Sequence, residues 1–386
     1  MVMKSQSRIV RIDGYEVSCR LPEVVGNSSR FFDQRGALLV SVTAGDGTVG
    51  WGETWAMPAA AAATIRSTFA PAVLGADVQA PRRVWEAMAR TLGYDRRGVS
   101  QMAMSAIDMA VWDAAARRAQ VPIARLLGGA LRERIPAYVS GPFLKPGADP
   151  YRDFDRDIDG YLDAGFRAIK LRMGVSPSVD EQRLARVRAR VGADFALMVD
   201  LNEGATLRSA LAYGEAFRGH DLVWLEEPIR HDNLPGYVRL AQALPMALAG
   251  GEALIGLAPF RDFLSAGALD IVQPDLALCG GFSEGLRIAA LADAFEVPLI
   301  PHVWGTAINL AASLQFAAVL PETRGPGLRY PLFELDASFN PLRDVFGAFA
   351  LGADGTVPVP DGPGLGIEIE PRRFASHVVD QWSIAA

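Results

Sequence analysis

The sequence predicts an α/β protein, a parallel barrel carrying a smaller α+β domain. Three observations predict it. From about Arg134, short apolar runs alternate with helical stretches, strand then helix, through eight strands. Five of those runs close on a polar side chain: Asp200, Glu226, Glu252, Asp275 and His302. They are spaced 26, 26, 23 and 27 residues apart, about one strand plus a return helix. Residues 1–132 have a different grain, with strands first and helices after, which is α+β patterning.

The bulk composition sets limits. A chain of 386 residues suits a large barrel plus a companion domain. Half its residues are hydrophobic and 21% are charged, as in ordinary globular proteins. A net charge of −6 and no basic stripe argue against nucleic acid as a partner. The opening MVMKSQSRIV lacks the continuous apolar stretch of a secretory signal. No run approaches the ~18 apolar residues of a membrane span, so no membrane partner is expected. Cys19 and Cys279 lie far apart and show no metal-ligand spacing, which points to a reducing compartment and a cytoplasmic location.

In the first domain, RIVRIDGYEV and ALLVSVTAG alternate in polarity. The Asp46–Gly47 turn then leads into TVGWGET, giving an antiparallel hairpin. AMPAAAAATI reads as the start of a helix, and the period stays helical to about Leu127. Within SQMAMSAIDMAVWDAAARRAQ, an apolar stripe runs through Ala106, Met109, Ala110 and Trp112 to Ala114, and LLGG closes the segment.

Residues 133–340 form the barrel, with strands IPAYVS, AIKLRM, ALMVD, LVWLE, MALAG, IVQPD, PLIPH and PLFEL. Helical stretches such as DEQRLARVRARVG lie between them, and right-handed crossovers make the sheet parallel. Residues 341–386 break into loops and short strands (TVPVP, GIEIE) and read as packing back on the first domain. The GPGLG run at Gly362–Gly366 lacks the strand-to-helix setting of a phosphate-binding loop.

In a parallel barrel all strand C-termini open on one face, so distant residues assemble one site there. Asp200, Glu226 and Glu252 are candidate metal ligands. Three carboxylates converging in a barrel mouth would repel one another and lose hydration, and a divalent cation removes both penalties. Ligation by oxygen alone selects Mg²⁺, with Mn²⁺ the alternative. The two-residue period puts Asn202 on the face of Asp200, where it would hold a water or steady the ligands. Glu227 is expected on the opposite face.

Lys170 and Arg172, at spacing two on one strand, aim two cations into the interior, toward a substrate carboxylate or the acids. A lysine crowded by Arg172 and a metal would have its pKa lowered toward that of a base. Asp275 and His302 close adjacent strands. A carboxylate fixes the imidazole tautomer and raises its basicity, which makes His302 a candidate general base. Glu334, on the last strand, would face the site from the other side and, if protonated, donate to a developing oxyanion. His220, His231 and His377 are expected to be solvated.

Taken in order, GDGTVGWGE, SAIDMAVWDAAAR with LLGG, Lys170–Arg172, VDLNEG, WLEEP, GGE, QPD, PHVWG and PDGPGLGIEIE resemble the enolase superfamily. Within it, the chain is similar to the mandelate racemase subgroup over nearly its whole length. The resemblance implies a modified TIM barrel, (β/α)7β, beneath an α+β capping domain. It implies Asp200, Glu226 and Glu252 as the Mg²⁺ ligands, Asp275–His302 as the base dyad and Glu334 as the strand-eight acid. It also implies that the capping segments Leu21–Arg35, including Phe31 and Phe32, and Thr54–Ala59 shape the pocket; Trp304, just past His302, is expected to pack on substrate.

CGGFSE, PHVWGT, FNP and PDGPGLGIEI look most like the acid-sugar dehydratase and sugar-lactone cycloisomerase branch. The expected activity is therefore Mg²⁺-dependent removal of the proton α to a carboxylate, followed by dehydration of a sugar acid. Lactone cycloisomerisation, epimerisation or racemisation of a 2-hydroxy acid, and a non-catalytic ligand-binding barrel are the alternatives. The sequence departs from the subgroup's Lys-x-Lys at Arg172. A guanidinium is a poor proton acceptor, which favours chemistry begun by one base. The family's barrels commonly assemble as homo-oligomers.

Overall fold

The computed structural model describes residues 6–93, 96–325, 328–347 and 349–386. In the first domain, β1 (Ile9–Gly26), β2 (Phe31–Ala44) and β3 (Val49–Thr54) form an antiparallel sheet, with Leu38 opposite Thr54 and Thr43 opposite Val49. The Asp46–Gly47 turn joins β2 to β3, and Gly47 adopts φ 88°. The long helix Val99–Ala119 lies on this sheet. It is buried not along a stripe but on most of its surface, Asp108 and Asp113 included, because barrel helices cover its other side. Gly50 and Gly52 permit the contact. A Cβ at either position would stand 2.1 Å from a helix carbonyl, that of Ala110 or Ala106.

The barrel strands are β4 (Arg134–Ser140), β5 (Ala168–Arg172), β6 (Ala196–Asp200), β7 (Leu222–Glu226), β8 (Ala247–Gly250) and β9 (Ile271–Val272). A short pair, β10 (Thr323–Arg324) and β11 (Arg329–Tyr330), precedes the last barrel strand, β12 (Phe333–Asp336). The parallel order is β12-β4-β5-β6-β7-β8-β9. PLIPH, expected as a strand, is extended but makes only one bridge, Leu299 to Val272. Pro298 and Pro301 have no N–H to donate, so a full ladder cannot form there.

Strand register sets the site. Arg172 pairs with Asp200, Asp200 with Glu226, and Glu334 with Tyr138. Below them the barrel is filled by Tyr138, Met198, Trp224, Ile271 and Ile300, each with no exposed surface. Burying each aliphatic side chain contributes about 1.5–3 kcal/mol. Helices that follow the strands begin on side-chain caps, Ser176, Thr206, Asn233 and Thr306, each accepting a backbone N–H of the first turn.

The C-terminal segment divides its contacts. β13 (Thr356–Pro358) runs antiparallel to β4 of the barrel, whereas β14 (Val378–Ala385) pairs with β1. GIEIE, expected as a strand, is irregular. Among the described residues, no helix is long and apolar enough to cross a membrane, and Cys19 and Cys279 are free and buried.

Candidate active site

The strand ends gather a network of buried charge. Lys170 Nζ, with no exposed surface, lies 2.5 Å from Glu226 Oε1, 2.8 Å from Glu334 Oε1 and 3.8 Å from Asp200 Oδ2. Burial alone would push its pKa down. Glu226 and Glu334 outweigh burial and hold the ammonium well above its ordinary range, so the lowered value expected from sequence is reversed. Glu334, foreseen as a neutral donor, instead has its pKa lowered: burial raises it, but Lys170 and His302 prevail. Its Oε2 accepts from Val303 N–H at 3.1 Å.

Arg172 Nη1 lies 3.2 Å from Asp200 Oδ2 and 3.3 Å from Asn202 Oδ1, and Nη2 donates to Ser140 Oγ. Asn202 does meet Asp200, through its backbone N–H (2.7 Å) and its Nδ2 (2.9 Å). The route is not the strand pleat. β6 ends at Asp200, and Asn202 sits in a left-handed turn at φ 40°. The same departure governs Glu227. It lies beyond β7 at φ 38°, is 3% exposed, and has Gly251 N–H 3.5 Å from its Oε1. Burial, then Glu252 and Asp200, raise its pKa well above the carboxylate range.

The dyad forms as a direct contact. His302 Nδ1 is 2.8 Å from Asp275 Oδ2, and its Nε2 is 2.8 Å from Glu252 Oε2. Burial opposes charge on the imidazole, but Glu252, Glu334 and Asp275 outweigh it, so His302 is held well above its usual pKa. In return, despite burial, His302 draws Glu252 down to about 2. Asp275 also accepts Ala277 N–H (2.7 Å), Asn309 Nδ2 (3.0 Å) and Trp55 Nε1 (2.8 Å).

Asp200 and Glu226 end β6 and β7, Glu252 lies two residues past β8, and all three supply only oxygen. Among the described residues no three acidic, histidine or cysteine side chains are gathered tightly enough to hold an ion as they stand. Each of the three is instead in contact with a cationic side chain. The donor chemistry nevertheless fits a hard dication. Burial and then Glu226 push Asp200 up to about 7, which is the electrostatic cost a dication would remove. Glu226 Oε2 is further oriented by Trp224 Nε1 and Gln273 Nε2, each at 2.8 Å.

A cavity of about 40 Å³ adjoins Glu252, His302, Arg172 and Asn202, close to the ~30 Å³ that one water occupies in the liquid. The first domain contributes Asn27, Arg30, Phe32 and Trp55 to its wall, and the barrel contributes Phe143, Arg172, Asn202, Glu252, His302 and Trp304. Phe32, Phe143 and Trp304 meet edge to face with centroids 5.8–5.9 Å apart. Phe31, expected beside Phe32, points the other way and is 48% exposed, as strand alternation requires. Beyond Phe143 a cavity of about 520 Å³ is bounded by Leu21, Glu23, Val25 and Arg35 of the first domain.

Several residues escaped the sequence reading. Ser28 and Ser29 hydroxyls donate to the carbonyls of Leu201 and Asn202, tying the first domain to the end of β6. Gly204 makes room, since a Cβ there would stand 2.1 Å from Ser28 Oγ. Glu53, fully buried with its pKa raised to about 7 by burial, accepts Thr306 N–H at 2.9 Å and the Thr306 hydroxyl. His231 Nδ1 is bound to Glu203 at 2.5 Å and His220 Nε2 to Glu181 at 3.2 Å, so neither is simply solvated. Serines, a threonine and single acids carry no spacing signal for partners 28 or more residues away.

The chain matches two family descriptions: "Mandelate racemase / muconate lactonizing enzyme, N-terminal domain" over residues 18–128 and "Enolase C-terminal domain-like" over residues 153–373. It is 37% identical to D-galactarolactone cycloisomerase of Agrobacterium fabrum, covering 94% of this chain and 96% of that protein. It is 33% identical to arabinonate dehydratase of Saccharolobus solfataricus, covering 88% and 90%. A racemase from Streptomyces coelicolor, solved with bound magnesium, superposes with a TM-score of 0.85 at 28% identity, covering 96% of this chain and all of that one.

Proposed function

Because this chain is an enzyme of the mandelate racemase / muconate lactonizing enzyme family within the enolase superfamily, we propose that it removes the proton α to the carboxylate of a sugar acid and expels the β-oxygen. One observation carries the reading. His302 is fixed at Nδ1 by Asp275 and turns Nε2 toward the cavity it shares with Glu252, Arg172 and Asn202.

Asp200, Glu226 and Glu252 would hold Mg²⁺. When bound, the ion supplies positive charge against a carboxylate that gains electron density as the α-proton leaves. Lys170 and Arg172 add fixed positive charge on the same side, and their pairing keeps them protonated. For His302 to accept a proton, Nε2 must be deprotonated and free of Glu252, and a Glu252 engaged as a ligand neither holds that nitrogen nor sustains its raised pKa.

The α C–H electrons then form the C=C of an enol while the β C–O bond breaks. The imidazolium returns its proton to the departing oxygen on the same face, and the enol tautomerises to a 2-keto acid. With hydroxyl as the leaving group the product is water, a dehydration.

The second reading is loss of a lactone ring oxygen, a cycloisomerisation, and the 37% identity to a galactarolactone cycloisomerase favours it specifically. A racemase would need a second base. Lys170 is tied to Glu226 and Glu334, and Arg172 stays protonated, so one-base chemistry is favoured.

The test is a screen of aldonic acids, aldaric acids and their lactones with Mg²⁺, monitored for 2-keto acid, with His302→Asn in parallel. Free acids and lactones separate the two readings. Deuterium appearing in recovered substrate epimers, without keto acid, would overturn both. Removing a general base lowers rate by about 10²–10⁴-fold, so unchanged turnover in His302→Asn would overturn the base assignment.

A further inference from the structure

A carboxylate offers about four acceptor sites, and Asp275 uses all four. Oδ1 takes Ala277 N–H at 2.7 Å and Asn309 Nδ2 at 3.0 Å, and Oδ2 takes His302 Nδ1 at 2.8 Å and Trp55 Nε1 at 2.8 Å. Three of these donors belong to the barrel. The fourth, Trp55, follows β3 of the first domain and arrives from 220 residues away in sequence.

Its position is anchored. Two residues earlier, the fully buried Glu53 grips Thr306, in the segment that carries His302 and Trp304. The indole also stands beside the imidazole, with ring centroids 6.2 Å apart and planes at 51°. Indole N–H can only donate, so on Oδ2 it competes for one lone pair and leaves the other to the imidazole.

We infer that Trp55 is a positioning residue: its N–H fixes Asp275 Oδ2, and through it the plane of the His302 ring, so the imidazole is aimed only when the first domain is seated on the barrel. This rests on the reading of His302 as the base. It also gives the first domain a part in the chemistry besides walling the cavity.

Trp55→Phe keeps an aromatic ring and deletes the N–H. With the substrate found in the screen, kcat should fall about tenfold or more, the effect of losing a hydrogen bond to a charged group, while KM changes little. The primary isotope effect on kcat with α-deuterated substrate should rise, because proton removal becomes slower relative to the other steps. A purely structural role would raise KM and leave the isotope effect alone. Wild-type kcat, or a change in KM alone, would overturn the inference.

His302→Asn, assayed alongside, keeps the two ideas apart. If it retains activity, the base reading itself fails. If it is inactive while Trp55→Phe is normal, only the inference fails. Substrate-free crystal structures of wild type and Trp55→Phe give a readout independent of turnover. A rotated imidazole supports the inference, and a superimposable one overturns it.

Discussion

His302 Nε2 stands 2.8 Å from Glu252 Oε2, so the proposed base and the proposed third metal ligand hold each other. Both lie at the ends of barrel segments that also meet Asp275, Lys170 and Asp200. The pairing makes base strength and metal occupancy interdependent, since Glu252 serves either the imidazole or an ion.

Stripping the enzyme with EDTA should therefore abolish turnover, and returning Mg²⁺ should restore it. Mg²⁺ should also raise the melting temperature, because a ligand bound only by the folded state stabilises it, by about 2.7 kcal/mol at a hundred times its Kd. Asp200→Asn should lose most of that thermal shift. A shift equal to wild type would remove Asp200 from the ligand set.

Lys170 neutralises Glu226 and Glu334 where water does not reach. Lys170→Met leaves those acids uncompensated and should cost about 3–5 kcal/mol, the usual penalty for breaking a buried pair. Urea denaturation measures it. A loss under 1 kcal/mol would mean the acids find other partners or take up protons. Lys170→Arg should not restore activity, because a planar guanidinium cannot occupy the space of a compact ammonium.

Asp108 is fully buried, and burial pushes its pKa from 3.8 up to about 7 although Ser283 donates to it through N–H (2.9 Å) and Oγ (2.6 Å). Its folded-state value lies above the unfolded one, so between these values the native state binds more protons and stability falls as pH rises. Relative to Asp108→Asn, wild type should lose up to about 4 kcal/mol between pH 4 and 7. Parallel stability curves for the two proteins would show that Asp108 does not titrate there.

Gly204→Ala places a methyl where the Ser28 hydroxyl now sits. It should detach the Ser28–Ser29 turn from β6, raise KM severalfold and leave kcat nearly intact, since no reacting group moves. Steady-state kinetics decide it, and a selective fall in kcat would mean that the turn acts on the chemistry.

The site was legible where a regular period carried it. Asp200, Glu226 and Glu252 stand out as candidate ligands because each closes or follows a parallel strand, one strand and helix apart. Reading stopped where the backbone left that period. Asn202 and Glu227 lie in left-handed turns past their strands, so alternation is not what sets their directions. Pro298 and Pro301 stripped a ladder from a run whose apolar residues looked like a strand. The signs of the pKa shifts at Lys170 and Glu334 depend on Glu226, His302 and each other, partners 32 to 164 residues away whose distances no spacing rule supplies. Glu53 reads as a strand residue of a hairpin and Trp55 as part of a pocket-shaping segment, and their contacts with Thr306 and Asp275 emerge only in the fold.

The pairing of β1 with β14 has a temporal consequence. Arg11 faces Ala385, so β1 waits through the synthesis of the whole barrel before its outer partner strand can be in place. The barrel between them can assemble in the meantime, strand by neighbouring strand, from contacts of shorter range. Since that sheet's domain supplies Asn27, Arg30, Phe32 and Trp55 to the cavity wall, that wall would be completed after the barrel, and the growing polypeptide would shape the floor before it could enclose anything upon it.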